Sequence, residues 1–132
     1  MIDLQEPPPF IQYIEEAEAL GRASYLSSVC VGIGVLADDR GALTDALDDF
    51  QRRTVLAQTD GPVVNAAFQR GIDREKQAVE LMSDLGPADG SPRRRRREEQ
   101  AIEYFAVGCS DLVLDYPDVF RLAPESAEAP AE

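Results

Sequence analysis

The chain has 132 residues, with 13 lysine plus arginine against 25 aspartate plus glutamate, no histidine, and a formal net charge of −12. That length allows one domain, and with 44% of residues apolar and 29% charged most of the chain can bury a core instead of remaining disordered. The missing histidine closes Ser-His-Asp and Cys-His nucleophilic machinery, histidine proton shuttles, mixed Cys/His zinc sites and the Glu-x-x-His pairs of di-iron bundles.

Residues 1–9 end in Pro7, Pro8 and Pro9 and predict an extended segment. No lysine or arginine precedes Arg22, which fits neither a signal nor a transit peptide. From Phe10 the apolar spacing turns helical. Phe10, Ile14, Ala17 and Leu20 make one stripe, Gly21 interrupts it, and Tyr25, Leu26, Val29, Ile33 and Leu36 make another, so residues 10–37 form one bent helix or two. The uncharged run over residues 23–37 would span roughly 22 Å as a helix, short of a ~30 Å bilayer core. It reads as a buried central helix, and no membrane partner is expected.

A surface helix follows, with Leu43, Ala46, Leu47, Phe50, Thr54 and Ala57 on one face and Asp45, Asp48, Asp49, Arg52 and Arg53 away from it. Asp60 and Pro62 are a cap and a first-turn proline that restart the chain. The stripe Val64, Ala67, Phe68, Gly71, Ile72, Glu75, Ala78, Val79, Met82, Leu85 then runs to Gly86 and Pro87. After a glycine- and proline-rich loop, Ser91 and Pro92 open a last helix with Ile102, Phe105, Cys109, Leu112, Val113 and Tyr116 on one face, stopped by Pro117. Residues 117–122 predict one further short turn, with Val119, Phe120 and Leu122 packing inward. No stretch alternates with period two. The expected fold is all-α: a single compact bundle of four to five antiparallel helices over residues 10–122, with a disordered acidic C-terminal tail over 123–132.

GALTDALDDFQRR, with Gly41, Ala46 and Phe50, resembles the second helix of a tetratricopeptide repeat, and similar alanine-led starts occur at Ala78 and Ala101. The alanines lie 32 and then 23 residues apart against a period of roughly 34 in that family, so the likeness reads as shared helix packing.

Cys30 and Cys109 are expected to be reduced thiols in a cytosol, behaving as small buried apolar residues, in preference to a disulfide between them, which stays the alternative. Small residues concentrate in two helices, Ser24, Ser27, Ser28, Cys30, Gly32 and Gly34 in the first and Ala106, Gly108, Cys109 and Ser110 in the last. Glycine inside a helix costs up to roughly 1 kcal/mol, so these helices are predicted to approach each other closely at the bundle centre, with a small ligand pocket as the alternative reading.

Carboxylates at i,i+4 spacing occur at Asp45 and Asp49, Glu80 and Asp84, Glu99 and Glu103, and Asp111 and Asp115. Such pairs can hold Mg²⁺, and IEEAEAL and REEQAIE approach the Glu-Glu-x-x-Glu pattern of all-helical nucleotide pyrophosphohydrolases without matching it. With 25 acids the pairs arise freely, so no metal site or cofactor is expected. Asp111 lies in an apolar surrounding and, if buried, needs a partner such as Arg22. The general acidity reads as ambient, from a high-salt cytosol or an arginine-rich coding bias, since twelve of the basic residues are arginine and only Lys76 is lysine.

One feature stands against that acidity. Arg93, Arg94, Arg95, Arg96 and Arg97 are consecutive, and cations at a helix start oppose its dipole by roughly 0.3–1 kcal/mol each. Arg94 with Glu98 and Arg95 with Glu99 are candidate i,i+4 pairs. Residues 91–100 carry five arginines and two glutamates, hence +3, which leaves −15 on the remainder; that remainder disfavours nucleic acid as a partner. The five arginines are therefore the candidate partner-binding site, facing an acidic protein surface or another copy of this chain. The expected function is a non-enzymatic, cytoplasmic interaction module, with a carboxylate-dependent Mg²⁺ hydrolase and a structural subunit of a larger assembly as alternatives.

Overall fold

A computed structural model describes residues 9–124 and contains four helices, α1 (Pro9–Gly32), α2 (Arg40–Leu56), α3 (Gly61–Ser83) and α4 (Pro92–Asp115). The all-α expectation holds. Residues 117–119 form only a turn, in which the amides of Val119 and Phe120 both donate to the Tyr116 carbonyl. The residues predicted to form most of the extended N-terminal segment and the disordered tail, 1–8 and 125–132, lie outside the described residues.

Each helix after the first begins where its side chains satisfy free amides. Asp39 accepts from the Ala42 amide at 3.2 Å, Asp60 from Val63 at 3.3 Å, and Ser91 from Arg94 at 3.2 Å. Pro62 and Pro92 sit in first turns, where no amide partner is lost. Gly86, with φ +74, turns the chain out of α3.

Successive helices alternate in direction. Tyr104 reaches Glu75 while Arg97 reaches the Asp84 carbonyl, which sets α4 antiparallel to α3. Helices α1 and α3 are parallel: Ala17 and Leu20 cluster with Val64 and Ala67, Arg22 meets Glu75, and Ala23 and Leu26 belong with Val79. These two helices touch along their length and form the central pair of the bundle.

Gly21 makes that contact. It does not break α1, as its place in the apolar stripe suggested; the helix runs through it as one element. A Cβ at Gly21 would strike the Phe68 carbonyl and lie 3.1 Å from the Ile72 nitrogen, and a Cβ at Gly71 would strike the Glu18 carbonyl and lie 3.0 Å from the Arg22 nitrogen. The core falls into two clusters about this crossing. One joins Ala17, Leu20, Phe50, Val64 and Ala67; the other joins Ala23, Leu26, Cys30, Leu36, Val79, Cys109, Leu112 and Phe120.

The predicted approach of α1 to α4 is present at Gly108, whose absent side chain leaves room for Leu26. Gly32 and Gly34 instead face open space. The cysteines are a correction to the sequence reading: both are fully buried, but they are joined as a Cys30–Cys109 disulfide that ties α1 to α4. The small residues of α1 and α4 predicted that these helices meet, but with the cysteines 79 residues apart in sequence nothing local showed that the two sulfurs come within bonding distance.

The segments after α1 and α4 meet in one antiparallel bridge, Leu36 with Leu122, and the amides of Ala37 and Ala123 donate to Arg121 and Val35 at 2.9 Å. Ala123, assigned to the disordered tail, is therefore tied to the body. Phe120 is buried and Val119 half-buried, as expected, whereas the Leu122 side chain is exposed because its backbone, not its side chain, makes the attachment.

Candidate functional site

The arginine run occupies the first turns of α4, and the helix divides it by face. Arg94 and Arg97, three residues apart, turn back over the α3–α4 connection. Arg94 donates to the Gly86 carbonyl at 2.7 Å and to Glu98 at 2.8 Å, and Arg97 donates to the Asp84 carbonyl at 3.4 Å. Two cations at a helix start thereby supply hydrogen bonds to the carbonyl of the α3 C-cap, Asp84, and to that of Gly86 in the connection beyond it. The Arg94 side chain is accordingly only 22% exposed.

Arg93, Arg95 and Arg96 are exposed, and none of them forms an ion pair among the described residues. The Arg95–Glu99 pair does not form. The result is a short basic ridge held on a helix whose start is fixed by Ser91, Arg94 and Arg97. Asp89 borders it, and the hydroxyl and amide of Ser91 hold its carboxyl below the usual carboxylate range.

Among the described residues the buried carboxylate is not Asp111, which is exposed, because its position on α4 turns it away from Leu112 and the core. It is Glu75, 3% exposed on the inner face of α3. Its two oxygens take the Nε of Arg22 at 2.8 Å and the hydroxyl of Tyr104 at 2.6 Å. Burial alone would lower the Arg22 pKa, but the adjacent Glu75 charge and hydrogen bond outweigh it and raise it. Burial pushes the Tyr104 phenol up to about 12, reinforced by Glu75. The trio links α1, α3 and α4 beside the glycine crossing, and its internal satisfaction suits support of the fold better than chemistry. A charged residue inside the Ile72–Val79 apolar stripe was the sequence signal for it.

The four i,i+4 carboxylate pairs all point to solvent. Asp49 is engaged by Arg52 and Arg53, and Glu16 gives Arg53 a second carboxylate at 2.7 Å. Among the described residues no group of three or more acidic or cysteine side chains converges as metal ligands would. Compared with known protein families, curated proteins and solved structures, the chain matches none.

Proposed function

We propose that this protein is a non-enzymatic protein–protein interaction module, a compact antiparallel bundle whose basic ridge at the start of α4 docks on an acidic protein surface. The observation that carries the reading is the division of labour within the arginine run: Arg94 and Arg97 are used by the fold, while Arg93, Arg95 and Arg96 are held outward without an internal ion pair. Exposed charges of this kind contribute mainly to steering and register at a protein interface. Five arginines against a remainder of −15 favour a local protein contact over a long nucleic-acid backbone.

Among the described residues no helix is long and apolar enough to cross a membrane. A cytoplasmic setting is compatible with the Cys30–Cys109 bond because both cysteines are inaccessible to external thiols; cytosolic reductants otherwise oppose such bonds.

The test is capture from the host extract with the native chain and with an Arg93→Gln, Arg95→Gln, Arg96→Gln variant, across a salt series. Recovery of a defined protein by the native chain alone, declining with salt, supports the reading. Equal recovery by both chains removes the ridge from the interface. A second reading, a subunit of a larger assembly, draws on the exposed large apolar residues Leu56, Leu81, Ile102 and Leu114, and predicts a solution mass that rises with concentration.

A further inference from the structure

A cleft of about 250 Å³ opens between the second half of α1 and the α1–α2 connection, lined by Ser24, Ser27 and Ser28 of α1, by Asp38 and Asp39 of the connection, and by Phe120. Serines at 24, 27 and 28 share one helix face. Ser27 donates its hydroxyl to the Ser24 carbonyl at 2.9 Å and Ser28 donates to the Tyr25 carbonyl at 2.7 Å. Their proton is therefore committed, and each oxygen offers only lone pairs outward.

Ser24 differs. Its hydroxyl oxygen is buried and has no hydrogen-bond partner, the one such side-chain atom among the described residues. A buried polar atom left unpaired is destabilising, so its presence beside a cleft is an observation separate from the cleft's shape. Asp39, which also lines the cleft, caps α2 through one carboxylate oxygen, with Arg121 3.8 Å from the other. No lysine, arginine or amide side chain is among the cleft's described lining residues. The charged lining is thus anionic only, with serine hydroxyls beside it and Val31, Leu43 and Phe120 as its apolar part.

We infer that this cleft binds an alkylammonium group, its three N–H donors met by the serine oxygens and the aspartates and its short apolar stem lying on Phe120. An ammonium supplies only donors, which complements carboxylates and serine oxygens with no competing cation in the lining, and the apolar lining suits its stem. Small-molecule sites combine an apolar base with a few convergent polar groups in this way. The inference is independent of the arginine ridge.

The full chain is titrated at constant ionic strength with 1,4-diaminobutane, with the neutral 1,4-butanediol, and with an N-acetylated Gly-Lys-Gly amide, binding being read from chemical shifts of residues 24–43. The result expected is saturable binding of an ammonium probe, no binding of the diol, and affinity at least tenfold weaker in both Asp39→Asn and Ser24→Ala. Asn keeps an oxygen for the α2 cap, and Ser24→Ala removes an unpaired atom, so both variants should melt no lower than the native chain. Binding of the diamine alone assigns the cleft to free amines, and binding of the peptide as well assigns it to a lysine side chain presented by a partner. Absence of saturable ammonium binding, equal binding of the diol, or affinity unchanged in the two folded variants overturns the inference.

Discussion

Gly21 and Gly71 occupy equivalent places on α1 and α3, each lying against the other helix's backbone one turn either side of its partner: Gly21 against Phe68 and Ile72, Gly71 against Glu18 and Arg22. Ala17 and Ala67, one turn earlier, are both fully buried. Small residues at i and i+4 on both helices bring the backbones closer than the usual 8–10 Å packing distance allows. Side chains elsewhere then close the two clusters around the crossing.

Alanine at either glycine should therefore be destabilising, because the atom met is a carbonyl of the facing backbone and not the end of a mobile side chain. A loss of roughly 1–3 kcal/mol or more is expected from overpacking, read by denaturant unfolding. Gly32→Ala, in open space, should change stability by no more than about 0.5–1 kcal/mol, and upward.

The Glu75 trio predicts an asymmetry between partners. Arg22→Ala leaves a carboxylate that is 3% exposed without its cation, at a cost of roughly 2–4 kcal/mol, below that of a fully buried pair because Arg22 is half exposed. Glu75→Gln leaves Arg22, 50% exposed, able to find water, and should cost less, on the order of 1–3 kcal/mol. Equal losses in calorimetric melting would show that Glu75 is not the residue under constraint.

Alkaline pH tests the same trio through Tyr104. Burial, with Glu75 beside it, holds the folded phenol at about 12 against an ordinary 10.0. Between those values the unfolded chain has released a proton that the folded chain retains, so the stability contribution present below about pH 10 is lost as pH rises towards 12. Tyr104→Phe should flatten the fall in melting temperature over that window. An unchanged slope would place the alkaline sensitivity elsewhere.

The Cys30–Cys109 bond closes a 79-residue separation between α1 and α4, and its removal by Cys30→Ala with Cys109→Ala should lower stability by roughly 2–5 kcal/mol. With both cysteines fully buried, a mild reductant should act on the native protein only as fast as it opens, measured by thiol labelling over time.

The helices were legible because their stripes and caps are local: Asp60 with Pro62 and Ser91 with Pro92 begin α3 and α4 where capping chemistry places them. Partnership between distant residues was not. Gly21 read as an interruption because its reason lies on α3, and the cysteines read as reduced thiols because the predicted meeting of their helices does not fix whether the two sulfurs reach bonding distance. Asp111 drew attention through its apolar neighbours in sequence, yet burial follows helix face, and that criterion selects Glu75. The arginine run was visible as a charge anomaly, while its split into two carbonyl-binding and three outward side chains follows from the geometry of the α3–α4 turn.

Arg94 and Arg97 should behave unlike their neighbours. Replacing both with glutamine removes hydrogen bonds to Gly86 and Asp84 and the Glu98 ion pair, with an expected loss of roughly 1–2 kcal/mol at the α3–α4 turn. Thermal melts of this double variant and of the Arg93, Arg95, Arg96 triple variant, run side by side, should separate the two faces.

The central claim is that the outward arginines make a contact with an acidic protein surface, and the affinity of the captured partner for the native chain and for the Arg93→Gln, Arg95→Gln, Arg96→Gln variant, at low and high salt, tests it most directly. The account predicts a variant that melts with the native chain, binds at least tenfold more weakly at low salt, and converges with it at high salt as screening removes the charge contribution. A variant that binds as tightly as the native chain at both salt concentrations contradicts it.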